Sequence, residues 1–199
     1  MFLPEFPGKR IFAAIMVLPT VISPIVAGAS WRLMFDHQFG PVNQILGWFM
    51  GAPPLILWTT DPVFVYPAII ILEVWAHTPF VFLLLLAALA QVDRSLIEAA
   101  DIDGASRWTI FIRIVLPAIR PVLYTVALIR FVDLMRMFDF IYALTQGGPG
   151  TISETISVYM YVQGFQQFAT SYTGALAFVS ILVTTLLVVA LTRRATITR

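Results

Sequence analysis

Residues 98–117 read EAADIDGASRWTIFIRIVLP, a charged segment that separates two long apolar stretches. The first half of the segment carries three carboxylates and the second half two arginines, with Gly104 between them. Charged side chains are costly in lipid, so we expect this segment to lie in water beside a membrane. The spans on either side of it then decide the fold.

The composition is that of an integral membrane protein. Of 199 residues, 59% are hydrophobic and 12% charged, and the mean hydropathy is +0.89, whereas soluble domains carry about 25% charged residues. A net charge of +1 lacks the basic surplus that nucleic-acid binding needs. The absence of cysteine excludes a disulfide framework and thiolate metal sites. The opening MFLPEFPGKR does not read as a signal peptide.

Four segments are long and apolar enough to span a bilayer as helices, which takes about 20 residues each. We predict an all-α, polytopic fold with a single transmembrane domain over residues 1–199. Pro19 and Pro24 should kink the first span. The predicted spans are residues 11–30, 63–90, 121–144 and 174–192, with a cytoplasmic loop at residues 91–120.

The distribution of basic residues predicts the topology. Nine of the twelve Lys and Arg residues fall before the first span, in the loop at 91–120 or after the last span. The positive-inside rule places these regions, and therefore both termini, in the cytoplasm. The nine are Lys9, Arg10, Arg94, Arg107, Arg113, Arg120, Arg193, Arg194 and Arg199.

The two outer connections are rich in Gly, Pro and aromatic residues. Residues 39–46 (FGPVNQIL) predict a short helix on the outer surface, and 145–151 (TQGGPGT) predict an outer turn, since the phosphate-loop lysine is missing. Tryptophan and other aromatic residues are enriched at membrane interfaces. We expect Trp31, Trp48, Phe49 and Trp58 to lie there.

No complete catalytic or metal site is predicted. Glu73 and His77 share a helix face and could form half of a metal site, but no second His or any Cys in a span completes it. A polar Glu–His pair that faces other helices is favoured instead. Ser30 has no histidine base at matching depth, so a serine hydrolase is not supported. No cofactor is predicted.

The motifs resemble those of permease subunits of binding-protein-dependent ABC importers. Residues 98–100 (EAA), Gly104 and 114–117 (IVLP) have the spacing of the family's EAA signature, and IDGAS resembles the carbohydrate importers. FGPVNQIL, WTTDP, EVWAHTPF and FDFIYALTQGGPGTISET follow the same family in order. The whole set resembles the larger permease of the maltose and glycerol-3-phosphate type. Such permeases have further N-terminal spans, for which this sequence has no counterpart before residue 11.

The resemblance implies a bacterial or archaeal cytoplasmic-membrane subunit of a sugar or polyol importer. Its expected partners are a second, related permease (a heterodimer), two cytoplasmic ATP-binding subunits, an extracytoplasmic solute-binding protein and the lipid bilayer. ATP hydrolysis would belong to the ATP-binding subunits. Glycerol phosphate or an oligosaccharide is an alternative solute. An ion-coupled secondary transporter that uses Glu73, Arg130 and Asp133 is a further alternative.

Contact with the ATP-binding subunit would fall on the EAA segment. A short helix up to Asp103 and a turn at Gly104, where glycine tolerates positive φ, should precede a second helix at 107–115 that Pro117 ends. Small side chains permit close approach to a partner. The resemblance assigns this coupling role to Glu98, Ala99, Ala100, Asp103, Gly104, Ala105, Ile114, Leu116 and Pro117.

Charges alternate in sign at three-residue spacing in the predicted third span: Arg130, Asp133, Arg136 and Asp139. Side chains at this spacing can pair along a helix, and mid-membrane charges should face the bundle interior or water. The ladder either joins two permeases structurally, or Arg130 and Asp133 border the solute path with Phe131 or Phe138 available for stacking.

Overall fold

The computed structural model describes residues 8–52 and 54–197, and the elements in this part of the chain are helical. The predicted cytoplasmic charges of Lys9, Arg10, Arg194 and Arg199 concern side chains outside the described part. The α-helices are α1 Lys9–Val17, α2 Pro24–Met34, α3 Pro41–Met50, α4 Val65–Ala90, α5 Arg94–Ile102, α6 Arg107–Ile110, α7 Leu116–Met135, α8 Asp139–Leu144, α9 Ile156–Tyr161 and α10 Thr170–Ile197.

Three described helices are long and apolar enough to cross a membrane: Val65–Ala90, Arg107–Met135 and Thr170–Arg193. The first predicted span is instead a bent pair, Ile11–Val21 and Pro24–Met34, whose axes differ by 104°, so the described residues hold four candidate spans if this pair counts as one. The proline kink predicted there is present, and it is larger than a simple kink. Ser23 is extended (φ −58°, ψ 139°) because the residue before a proline avoids the helical region.

The third candidate span differs from its predicted bounds of 121–144. The helix begins at Arg107, passes through a π-helical turn at Phe111–Val115 and ends at Met135. Pro117 therefore does not end a helix, which corrects the prediction. The π turn directly before α7 shifts the hydrogen-bond register, because the Leu116 N–H donates to the Phe111 carbonyl. Pro117 lies in the first turn of α7, where the absence of its backbone N–H costs little free energy.

The main core packs α2 against α8, with α4 and α9 alongside. Phe35, Leu72, Ile141, Leu144 and Val158 are among its buried side chains. The crossing of α2 and α8 is close because α2 has Gly28 at the contact. A Cβ there would lie 2.7 Å from the Ala143 Cβ of α8.

Two of the four aromatic residues predicted at the interface are part of this core. Trp58 is 8% exposed, and its indole N–H donates to the Asn43 side-chain oxygen at 2.7 Å. Trp31 is half-buried and packs against Phe35, with ring centroids 5.2 Å apart. Only Trp48 and Phe49, at the exposed end of α3, remain available to lipid, at 83% and 85% exposure.

The connection between α8 and α9 contains the predicted outer turn. Gly147 and Gly150 have φ values of +89° and +59°, which glycine adopts readily. The Thr145 and Ser153 hydroxyls lie 2.8 Å apart and hold the turn closed. The helix α9 that follows, with its π-helical turn at Val162–Gln166, lies in a stretch that the sequence indicated as loop.

Candidate functional site

The first candidate region is the coupling segment, defined here as residues 93–117. Its helix α5 is capped at the N-terminus by Asp93, whose carboxylate accepts from the Ser95 backbone N–H at 2.9 Å. This hydrogen bond lowers the pKa of the Asp93 carboxyl below its ordinary value and satisfies one of the unpaired N–H groups of the helix start. The Asp93 cap therefore fixes where α5 begins.

One side of α5 attaches the coupling segment to the membrane helices. Ile97 packs against a small buried cluster formed by Ala88 of α4, Val92 and Ile119 of α7. The cluster lies where the cytoplasmic ends of α4 and α7 were predicted. The Ile97 side chain therefore connects α5 to the adjacent ends of both helices.

The C-terminal end of α5 is a closed turn centred on Gly104. Gly104 has φ +74°, its N–H donates to the Asp101 carbonyl at 3.1 Å, and the Ala105 N–H donates to the Ala100 carbonyl at 3.0 Å. These two bonds form a Schellman motif, in which a left-handed residue, usually glycine, satisfies the last carbonyls of the helix. The positive φ predicted at Gly104 is present.

The second helix of the segment begins immediately after this turn. Ser106 caps α6, because its hydroxyl oxygen accepts from the Thr109 backbone N–H at 3.2 Å. From there α6, the π-helical turn and α7 continue to Met135. The second helix of the coupling segment and the third candidate span are thus one helical element.

The tip of the segment is exposed. Glu98, Ala99, Asp103 and Gly104 are exposed, and Ala100 and Ala105 are half-buried. Two apolar side chains that sequence reasoning did not single out flank the glycine: Ile102 is 86% exposed and Trp108 69%. The sequence signal that could have identified these two residues is their apolar character beside a polar turn. Of the other predicted coupling residues, Ile114 is half-buried, and Leu116 and Pro117 are exposed on the helix beyond the turn.

The second candidate region is the charged cluster, defined as Glu73, His77, Arg130, Asp133 and Arg136. Arg130 Nη2 donates to Glu73 Oε2 at 2.7 Å across the α4–α7 contact. The same carboxylate oxygen lies 2.7 Å from His77 Nδ1. The Arg130 and Glu73 side chains are 15% and 11% exposed. The predicted Glu–His pair is therefore present, and it has a third member from another helix.

The cluster continues along α7 toward the surface. Asp133 accepts from Arg130 at 3.4 Å and from Arg136 at 3.1 Å. Side-chain exposure rises from 15% at Arg130 to 34% at Asp133 and 75% at Arg136. No ion pair between Arg136 and Asp139 is found among the described residues, because α7 ends at Met135 and the helical spacing is lost. Two of the three predicted ladder pairs are formed.

The two predicted stacking residues have different surroundings. Phe131 is half-buried on α7. Phe138 belongs to a group of rings in which its centroid lies 5.1 Å from those of both Tyr142 and Tyr161, and Tyr161 stacks on Phe165 at 5.5 Å. The aromatic group, with two tyrosine hydroxyls, begins two residues after Arg136.

The geometry around Glu73 is that of an ion-pair network rather than a ligand set for a metal. Within residues 8–52 and 54–197, no group of three or more His, Asp or Glu side chains is placed to hold a metal ion. The Glu73 carboxylate is instead occupied by a guanidinium and an imidazole. The cluster can therefore offer donors and acceptors to a polar solute.

The relatives found by comparison of sequences are named as transport permease proteins. "Probable ABC transporter permease protein y4oQ" of Sinorhizobium fredii is 37% identical over 175 residues, covering 88% of this chain and 56% of that protein. "Trehalose/maltose transport system permease protein MalF" of Thermococcus litoralis is 40% identical over 151 residues, covering 76% of this chain and 50% of that protein. The chain thus spans about half the length of these curated relatives.

A solved structure has the same fold. A chain in the crystal structure of a bacterial ABC transporter involved in the import of the acidic polysaccharide alginate superimposes with a TM-score of 0.83 and 26% identity, over 96% of this chain and 68% of that chain. Residues 7–197 also match the family described as binding-protein-dependent transport system inner membrane component. With an all-helical fold, several candidate membrane helices and a matched family over nearly its whole length, this chain belongs to the inner membrane components of binding-protein-dependent transport systems.

Proposed function

We propose that the chain is the translocation part of a permease subunit in an ATP-driven importer of a sugar or related polyol. The observation that carries the proposal is the continuity of the Arg107–Met135 helix. The helix begins at Arg107, three residues after the exposed turn at Gly104. Arg130 lies about 35 Å from Arg107 along the helix axis, at 1.5 Å per residue. One element therefore connects a cytoplasmic contact surface with a polar centre inside the membrane.

The coupling segment is suited to receive force from an ATP-binding subunit. The cap at Asp93 and the Schellman turn at Gly104 fix both ends of α5, so the helix moves as a unit. Its exposed tip, with Glu98, Asp103 and Ile102, offers charge and apolar surface to a partner. Its opposite side is held on α4 and α7 through Ile97.

The charged cluster is suited to border the solute path. Arg130 and Asp133 lie in the last two turns of the Arg107–Met135 helix, and charged side chains within a membrane span face the bundle interior or water. The rising exposure from Arg130 to Arg136 supports a water-filled space at the outer end of the cluster. The rings of Phe138 and Tyr161 add apolar faces that a sugar ring can stack on. The relatives supply the solute class: one is named for trehalose and maltose, and the solved structure belongs to an alginate importer.

The proposed assembly contains a second permease, two cytoplasmic ATP-binding subunits and an extracytoplasmic solute-binding protein. A related alginate ABC transporter has been crystallised with a pentasaccharide-bound periplasmic protein, which supports the last of these partners. We place the subunit in the cytoplasmic membrane of a bacterium or archaeon, with both termini inside, as the distribution of basic residues favours.

ATP dependence tests the proposal. The chain, tagged in its native host, is purified with its associated subunits and reconstituted into proteoliposomes with the solute-binding protein outside. Uptake of radiolabelled maltose or trehalose should require ATP inside the vesicles and should persist when ion gradients are collapsed with ionophores. Uptake that follows an imposed ion gradient without ATP would support the secondary-transporter alternative instead.

A further inference from the structure

The charged cluster is neutralised internally. Glu73 and Asp133 supply two carboxylates and Arg130 and Arg136 two guanidinium groups, and each arginine lies within 3.4 Å of at least one carboxylate oxygen. His77 Nδ1 lies 2.7 Å from the Glu73 carboxylate, within hydrogen-bonding distance. Asp139 follows on the next helix and adds a further carboxylate.

An anionic solute would meet an unfavourable site here. Arg130 is already paired with Glu73 and Asp133, and Arg136 with Asp133, so an anion would compete with these carboxylates, of which Glu73 is 11% exposed. That carboxylate would then remain poorly hydrated beside a second negative charge, and a buried charge that loses its partner is strongly destabilising. The cluster therefore opposes anions although it contains two arginines.

A neutral polyol meets no such penalty. Hydroxyl groups both donate and accept hydrogen bonds, so adjacent hydroxyls can bridge an arginine N–H and a carboxylate oxygen without breaking the ion pair. Among the described residues the guanidinium of Arg136, at 75% exposure, pairs with Asp133, and its remaining N–H groups can donate to a solute. The neighbouring rings of Phe138 and Tyr161 can take the apolar face of a sugar.

We infer that the charged cluster selects uncharged, hydroxyl-rich solutes and rejects acidic or phosphorylated sugars, with Glu73 as the residue that sets this preference by neutralising Arg130. This inference rests on the proposed function, because it takes the cluster to border the solute path. The inference favours a neutral sugar over glycerol phosphate, an alternative solute that the sequence left open.

Binding to the purified permease complex, without the solute-binding protein, tests this preference directly. Saturation-transfer NMR detects weak ligands, and two pairs compare a neutral with an anionic solute: maltitol with maltobionate, both open-chain at one end, and trehalose with trehalose 6-phosphate. The native complex should give signals with a neutral sugar and at least about tenfold weaker signals with its anionic counterpart. Glu73→Gln should reduce or reverse that ratio, because it leaves Arg130 with only the longer contact to Asp133 at 3.4 Å. Glu154→Gln, a carboxylate change in the outer connection, should leave the ratio unchanged.

A double variant shows whether freed Arg130 is the cause. Glu73→Gln with Arg130→Gln removes the guanidinium together with its Glu73 partner, so the gain of anion binding should disappear. Equal signals from both members of a pair in the native complex, or an unchanged ratio in folded Glu73→Gln, would refute the selectivity. Absence of all signals in a complex with intact ATP-driven sugar uptake would also refute it and would leave the importer standing. Failure of that uptake in the native complex would count against the proposed function itself.

Discussion

Arg130 of α7 donates to Glu73 of α4 at 2.7 Å, across 57 positions of sequence. The contact joins two of the three long apolar helices inside the predicted membrane region. Both side chains are largely shielded from solvent, so each depends on the other for compensation of its charge.

Removal of one partner should therefore destabilise the protein. Arg130→Gln leaves Glu73 with only His77, and we expect a loss of about 3 kcal/mol in the free energy of unfolding. Arg136→Gln removes a guanidinium that is 75% exposed and should cost less than about 1 kcal/mol. Unfolding by SDS in mixed micelles measures both changes. Equal effects of the two variants would contradict the burial argument.

The turn at Gly104 should be required for coupling. Gly104→Leu places a branched side chain at φ +74°, where a residue with a Cβ is strained by roughly 1–2 kcal/mol, and the Schellman turn should distort. We expect the complex to assemble but to lose most solute-stimulated ATPase activity.

Gly51 supplies the matched control for this variant. It ends α3 with φ +82° and has nothing within 4 Å of a built Cβ, as is also true of Gly104. Gly51→Leu should impose a similar backbone strain on the other side of the membrane and leave coupled ATPase activity near normal. If both variants uncouple equally, strain rather than position explains the loss.

The capping of α5 should depend on pH. Because its folded-state pKa is lowered by the Ser95 N–H, the Asp93 cap stabilises α5 fully above its ordinary pKa of about 4 and loses this effect as pH falls through the lowered value. Hydrogen exchange at the first turn of α5 should therefore accelerate in that acidic range. Asp93→Asn should retain the cap without the pH dependence, whereas Asp93→Ala should exchange fast at every pH.

Burial of Trp58 should depend on Asn43. Asn43→Ala leaves the indole N–H, now paired at 2.7 Å, without an acceptor in the core, and also removes the donor to the Ile56 carbonyl. We expect a loss of about 1–3 kcal/mol in stability. Gln44→Ala, at the exposed neighbouring position, should change stability by less than about 0.5 kcal/mol. The same SDS unfolding assay compares them.

Single cysteines should report the topology, since the native sequence contains none. An impermeant thiol reagent on intact cells should label Thr151→Cys, which is exposed in the outer turn, and spare Arg193→Cys at the end of α10. Thr151 is a better position than Ser153, which is 5% exposed. The opposite labelling pattern would invert the topology and remove Gly104 from the cytoplasm.

Local signals in the sequence predicted the helical class, three long apolar segments and the turn at Gly104. The features that it did not predict depend on contacts distant in sequence. Trp58 looked like an interfacial residue because its acceptor, Asn43, lies 15 residues earlier in α3, and the Glu73–Arg130 pair needed the packing of α4 on α7. Pro117 looked like a helix end, since the π-helical turn that accommodates it leaves no recognisable pattern.

The uninterrupted Arg107–Met135 helix has a mechanical consequence. When the helix tilts as one unit by about 10° at Arg107, the distance of about 35 Å to Arg130 turns this tilt into a displacement of about 6 Å at Arg130. A displacement of that size exceeds what the 2.7 Å contact with Glu73 can absorb. Either α4 moves together with the Arg107–Met135 helix, or the Arg130–Glu73 ion pair breaks each time this helix tilts.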